Sequence, residues 1–268
     1  MVKVTNKDYY MDGFLKSNLQ IAATTIKKDW DMIFAVDGSE GSGKSVFTQQ
    51  MAYFCDDTFN IERICFTPKD FRKVIMASSK YQSIVYDEAY TGLSSRASMS
   101  LINRTLISML AEIRQRNLFV FIVMPCFFDL DKYVALWRSR ALIHVYTGKN
   151  FQRGFFSFYN MEKKKSLYIN GKKFYIYNNP KPNFRGRFTN VYTVNENEYR
   201  KKKRITLIDR EKAREEKDKR KEVEIEMFER VMEMDESVPH SLRMKLLAMP
   251  HSTYFMKVKQ YKELKELN

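Results

Sequence analysis

The chain is poor in the residues that build covalent or metal-held frameworks. It has three cysteines in 268 residues, Cys55, Cys65 and Cys126, each alone in apolar surroundings. None belongs to a Cys-x-x-Cys pair and none has a histidine at metal spacing, which excludes a disulfide scaffold and a zinc module and leaves reduced core residues. No run of eighteen apolar residues occurs and Met1 to Gly13 has no secretory pattern, so no membrane span or export signal is expected, and a cytoplasmic location is. Acidic charge is scarce as well: 32 Asp and Glu face 47 Lys and Arg, a net charge of +15 with a pI near 9.5. The length suits one sizeable α/β core with an appendage.

Against these absences one octapeptide stands out. Gly38, Ser39, Glu40, Gly41, Ser42, Gly43, Lys44 and Ser45 match the phosphate-binding pattern G-x-x-x-x-G-K-[ST]. Met32 to Val36 before it reads as a buried parallel strand, and Val46 to Phe54 after it has helical spacing. The glycines permit positive φ and close backbone approach, so successive N–H groups, Val46 included, point at the β- and γ-phosphates of a nucleotide. Lys44 adds a point charge, Ser45 a hydroxyl for Mg²⁺, and the helix start about half a positive charge.

A second signal concerns what becomes of the phosphate. Ser83 to Glu88 is an apolar and aromatic strand ending in two acids. Asp87 is expected to hold the Mg²⁺ through water and Glu88 to polarise the attacking water. No Asn-Lys-x-Asp follows that would select guanine, so the expected cofactors are ATP and Mg²⁺.

Charge is uneven along the chain. Between Lys149 and Arg204 fifteen Lys or Arg face three Glu, so this region carries about +12 of the total. Phe151, Phe155, Phe174, Tyr175 and Phe188 are among the rings interleaved with it. Cations that neutralise phosphates beside rings that stack on bases make this a candidate nucleic-acid surface. Its candidate contacts are Lys163, Lys164, Lys165, Lys172, Lys173, Arg185, Arg187, Lys201, Lys202, Lys203 and Arg204. A solvated strand face over an aromatic core is the alternative.

The periodicities predict an α/β fold: a mainly parallel sheet sandwiched by helices, a β-hairpin extension and a C-terminal helical segment. Phe14 to Lys28 reads as a leading helix, Ile61 to Phe66 as a strand, and Thr67-Pro68 as the start of a helix through Ala77. Ala89 to Ser100 reads as a mobile loop, Leu101 to Gln115 as an amphipathic helix, and Leu118 to Met124 as a central strand buried on both faces. Asp129 to Trp137 reads as a helix and Ala141 to Tyr146 as a fifth core strand. Strands are then expected at 154–160, 166–169 and 172–177, the last two joined by a turn at Asn170-Gly171. The expected divisions are a core over 1–148, a basic β extension over 149–199, a charged helical linker over 200–222 and a small helical module over 223–268. That module suits a helix-turn-helix or a subunit contact.

With the loop at Gly38 to Ser45, the strand ending in Asp87-Glu88, and the segments Glu112 to Met124 and Arg138 to Val145, the chain resembles a P-loop ATPase of the additional-strand, catalytic-Glu division. Asp87-Glu88 is similar to a Walker B pair, and P-loop switches and small-molecule kinases generally lack the second acid. Within the division the likeness, over about residues 30 to 147, is to the DNA-pumping branch: FtsK/HerA-type translocases, viral packaging and terminase ATPases, and the zonula-occludens-toxin-like ATPases of filamentous phages. It implies a Mg·ATP-hydrolysing motor that translocates or packages DNA, encoded by a virus or mobile element and working in the host cytoplasm as a homo-oligomeric ring, with a portal, capsid or separate nuclease as partner. Two departures stand out. Met124-Pro125-Cys126 replaces the polar sensor many such motors carry at that strand end, and the tail beyond Tyr199 lacks the metal-binding acids of a nuclease.

Ring motors commonly insert an arginine at a neighbour's γ-phosphate. Arg138 and Arg140 are the first candidates here, with Arg96, Arg104, Arg114 and Arg116 behind them. An assembly or secretion ATPase acting on a protein or membrane partner is the alternative function, and a small-molecule kinase a third.

Overall fold

The computed structural model describes residues 2–4, 7–87, 95–235 and 237–266. Val2–Val4 (β1) and Lys7–Tyr9 (β2) pair as an antiparallel ribbon. Gly13–Thr25 (α1) follows, its first turn closed by Asp12, whose side chain accepts from Leu15 N. Met32–Asp37 (β3) is buried at every residue and leads into Lys44–Cys55 (α2). After the two-residue strand Ile64–Cys65 (β4), Thr67 caps Pro68–Ala77 (α3) by accepting from Asp70 N, with the proline in the first turn where no N–H is needed. Ser83–Tyr86 (β5), Ser95–Gln115 (α4), Phe119–Val123 (β6) and Ser139–Tyr146 (β7) complete the parallel part.

Five parallel strands stand in the order β4-β5-β6-β3-β7, so β6 lies between β3 and β5. Phe155–Tyr159 (β8) and Phe184–Arg187 (β9) then extend the same sheet antiparallel at the β7 edge. Alternation along each strand divides the core. Ile33, Ala35, Ile84, Val120, Ile122 and Leu142 face the layer of α3 and α4, while Phe34, Val36, Val85, Phe121, Ile143 and Val145 face α1 and α2. Burial on both faces explains why β6 is apolar at every position.

The region after β8 departs from expectation. The strands and Asn-Gly turn expected over 166–177 are not formed; residues Met161–Gly171 make a helix (α5), capped by Asn160 accepting from Lys163 N. The buried positions Lys164, Leu167, Tyr168 and Gly171 have helical spacing, and that period prevails over the Asn-Gly signal. Gly171 ends the helix where a Cβ would meet Ile176 O at 2.4 Å. Helix α4 already covers 95–100, part of the expected loop; the helix expected over Asp129 to Trp137 is formed over 132–138 and ends in a π-helical turn, Val134–Arg138, after a 3₁₀ turn at Phe127–Asp129.

The chain separates into two compact units, 1–203 and 204–268. Glu196–Met232 (α6) is one helix across the expected linker, and its residues 211–222 are exposed throughout. In the second unit His240–Leu246 (α7) and His251–Glu266 (α8) bury Phe228, Tyr254 and Val258. Arg243 holds the turn before α7 by donating to the carbonyls of Met234, Asp235 and Val238. Among the described residues no helix is long and apolar enough to cross a membrane.

Candidate functional site

Strands β3, β5 and β6 end together at the carboxyl edge of the parallel sheet, the edge where open α/β sheets place ligands. The turn from Gly38 to Gly43 leaves β3 here and enters α2. Gly38 (φ 140°), Gly41 (φ 74°) and Gly43 (φ 97°) take backbone conformations that side-chain-bearing residues avoid. Packing adds to that demand: a Cβ on Gly38 would lie 1.9 Å from Val145 O, and one on Gly43 would lie 3.2 Å from the Phe188 ring. Gly43 is the N-cap of α2 and offers no side chain, so the N–H groups of the first helical turn face the turn's interior uncapped.

Lys44 Nζ reaches back over this turn and donates to Gly38 O at 2.6 Å and Ser39 O at 2.7 Å. Burial lowers its pKa, opposed by the carboxylates of Asp37, Asp87 and Glu40. Ser45 Oγ donates to Asp87 Oδ1 at 3.1 Å, which brings together the hydroxyl and carboxylate expected to share a cation. Asp87 is 2 % exposed, and its Oδ2 accepts from Tyr199 OH at 2.6 Å. Burial, then the Asp87 charge, raises the Tyr199 pKa, so the phenol stays a donor. Among the described residues no three His, Cys, Asp or Glu side chains form a metal cluster. A divalent cation at Ser45 and Asp87 would therefore complete its shell with ligand and water oxygens, the habit of Mg²⁺. Glu88 lies outside the described residues.

Asp37 forms a second buried centre beside the turn. Fully buried at the end of β3, it accepts from Phe127 N at 3.0 Å and from Tyr177 OH, while His144 Nδ1 lies 2.9 Å from its other oxygen. The Tyr177 and His144 rings stack with centroids 4.0 Å apart. Cys126 Sγ lies 3.7 Å from Tyr177 OH, and Gly38 N donates to Pro125 O at 3.4 Å. Thus the polar atoms that meet the chain after β6, where Met124-Pro125-Cys126 offers no polar sensor side chain, are Asp37 Oδ2 and the Tyr177 hydroxyl. Asp37, Tyr177 and Tyr199 are site residues that the sequence reading missed. Asp37 had a local signal, an acid closing an apolar strand just before Gly38, whereas both tyrosines arrive from over a hundred residues away and had none.

The candidate arginines go elsewhere. Asp31, 1 % exposed just before β3, pairs with Arg138 and with Arg140 Nη2 at 3.3 Å, and Arg140 also stacks on Trp30. Arg114 pairs with Asp29 at 3.0 Å, and Arg116 donates to Ser78 O at 2.9 Å. Asp29, Asp31, Arg138 and Arg140 flank the amino-terminal ends of β3 and β7, the edge opposite the glycine turn, so within one chain Arg138 and Arg140 do not join it. Arg104 is exposed on α4, and the Arg96 side chain lies outside the described residues.

The basic candidates divide in two. Lys164 is wholly buried, with Nζ on the carbonyls of Ala135 and Leu136, which removes it from any nucleic-acid surface. Lys202 donates to Ile61 O and Ile64 O, and Lys163 to Pro182 O at 3.3 Å. Lys172, Lys173, Arg185, Arg187, Lys201 and Arg204 are exposed, Lys165 and Lys203 half-buried. Lys165 lies over Trp137 and Arg187 over Phe155. The most open basic stretch follows α5, where Lys172 and Lys173 adjoin Phe174 (66 % exposed), Tyr175 and Ile176. No protein-family model matches the chain, and no curated protein matches it.

Proposed function

We propose that the protein is a Mg·ATP-hydrolysing motor that moves or packages DNA. The observation that carries the nucleotide half is the convergence of Lys44, Ser45 and Asp87 on a glycine turn at the carboxyl edge of the sheet, with Ser45 Oγ 3.1 Å from Asp87 Oδ1. An anion enters an uncapped helix start under an ammonium, beside a hydroxyl and a carboxylate that take a cation. The position of β6 between β3 and β5 supports assignment to the additional-strand division. In this reading Glu88, next to Asp87, is the residue that activates water, and the chain works as a homo-oligomeric ring.

The DNA half rests on the exposed basic and aromatic tip after α5 together with Arg185 and Arg187 on β9. Both arginines lie on one face of the strand, two residues apart. Measuring affinity for a duplex oligonucleotide over a range of salt tests it. The motor reading predicts that log Kd rises steeply with log salt and that Lys172→Ala/Lys173→Ala reduces the slope by one to two. A protein lacking DNA affinity at low salt would instead favour the assembly or secretion ATPase, whose basic surface meets a protein or an anionic membrane.

A further inference from the structure

The connection between β7 and β8 lies against the glycine turn and supplies it with a guanidinium. A Cβ built on Gly41 would be 3.8 Å from Arg153 Nη2, so this cation sits at van der Waals range from the middle of the turn. Arg153 is exposed and makes no hydrogen bond or ion pair among the described residues. The backbone that carries it is held by the connection around it. Gly148 N donates to Gln152 O at 2.7 Å and Gln152 N to Lys149 O at 3.2 Å, closing a loop in which Asn150 (φ 54°) and Phe151 (φ 58°) are both left-handed. Two consecutive non-glycine residues in that region are costly and persist only where the surroundings impose them. Here both ends are imposed. Val145 O occupies the Cβ position of Gly38, and Gly154 (φ 100°) packs against Phe188, whose ring covers Gly43 and stacks on Phe47 at 4.2 Å. A polar group inside the turn also lacks a partner: Ser42 Oγ is fully buried and unbonded among the described residues.

We infer that Arg153 is a second phosphate-binding cation of the nucleotide site, acting within its own chain from beside Gly41. A guanidinium presents a rigid planar fork of paired N–H donors that matches two phosphate oxygens, whereas the ammonium of Lys44 acts as a point charge with freely rotating donors. The inference rests on the reading of Gly38 to Ser45 as a nucleotide phosphate loop. It assigns to Arg153 a cis contact that Arg114, Arg116, Arg138 and Arg140, each engaged elsewhere, are not placed to make.

Calorimetric titration with Mg·ATP of the wild type, Arg153→Ala, Arg153→Lys and Lys44→Ala tests it. The expected result is a Kd raised about tenfold or more in Arg153→Ala, from loss of a charge-assisted contact, with part of the loss recovered in Arg153→Lys. The melting temperature of the unliganded Arg153→Ala protein should stay at the wild-type value, since no internal partner among the described residues is lost. Wild-type binding with a Kd unchanged within twofold in Arg153→Ala, while Lys44→Ala binds poorly, overturns the inference and leaves the phosphate-loop reading intact. A wild type that does not bind Mg·ATP overturns both.

Discussion

Tyr199 OH donates to Asp87 Oδ2 at 2.6 Å, so the first turn of α6 holds the carboxylate that faces Ser45. With Oδ2 occupied by the phenol, Oδ1 is left for the Ser45 hydroxyl and, in the proposed site, for a cation. Tyr199→Phe removes the donor and leaves a buried carboxylate oxygen unmatched. It should cost about 1.5–3 kcal/mol in urea denaturation, as for a hydrogen bond to a charged group. It should also raise the Mg²⁺ concentration needed for half-maximal nucleotide binding. An unchanged Mg²⁺ requirement would reduce Tyr199 to a packing residue.

Arg138 and Arg140 share Asp31, and that pairing predicts a stability phenotype. Arg138→Ala leaves a buried carboxylate with only Arg140, and the expected loss is about 2–3 kcal/mol, somewhat below the cost of stripping a buried charge completely. Chemical denaturation reads that directly. A variant of wild-type stability that cannot hydrolyse ATP would point instead to the catalytic arginine that the sequence suggested.

Lys164 predicts an unusual pH dependence. Burial lowers its pKa from 10.5 to about 7. Between those values the unfolded chain binds a proton that the folded chain does not, so this group's contribution to stability rises with pH across that window. Below about pH 7 both states are protonated, and the cost of burying the charge is carried in full. Denaturation of the wild type and Lys164→Met from pH 6.5 to 10 should show Lys164→Met relatively most stable at the acid end, its advantage shrinking as pH rises. A constant difference would mean that Lys164 does not titrate in this range.

Gly38→Ala should destabilise the protein whether or not nucleotide is present. The added Cβ meets Val145 O at 1.9 Å and the backbone sits at φ 140°, so β7 must shift or the turn must open. A loss of about 2–4 kcal/mol is expected from overpacking and backbone strain together. Thermal unfolding of the unliganded protein checks it, and a wild-type melting temperature would show that the turn relaxes freely.

Much of the parallel core was legible because its signals are local. Thr67-Pro68 marks a helix start through its own chemistry, and the unbroken apolar run of β6 marks a strand buried on both faces. The turn from Gly38 to Ser45 was legible for the same reason, as its residues are contiguous. What was hidden depended on partners distant in sequence. Nothing near Arg138 announces Asp31, and nothing near Tyr199 announces Asp87. Lys164 read as one of a run of surface lysines because the helix that buries it was obscured by Asn170-Gly171, a pair that ends a helix as readily as it turns a hairpin.

The proposed motor hydrolyses Mg·ATP at the glycine turn and couples that hydrolysis to DNA. Steady-state phosphate release from Mg·ATP, with and without duplex DNA, tests it most directly on the wild type, Lys44→Ala and Glu88→Gln. Turnover should require Mg²⁺, rise several-fold with DNA, and fall at least a hundredfold in both variants, since in the proposed motor each removes a group acting on the transferred phosphate or its water. Turnover that survives Lys44→Ala would contradict the nucleotide site, and hydrolysis indifferent to DNA would contradict the motor.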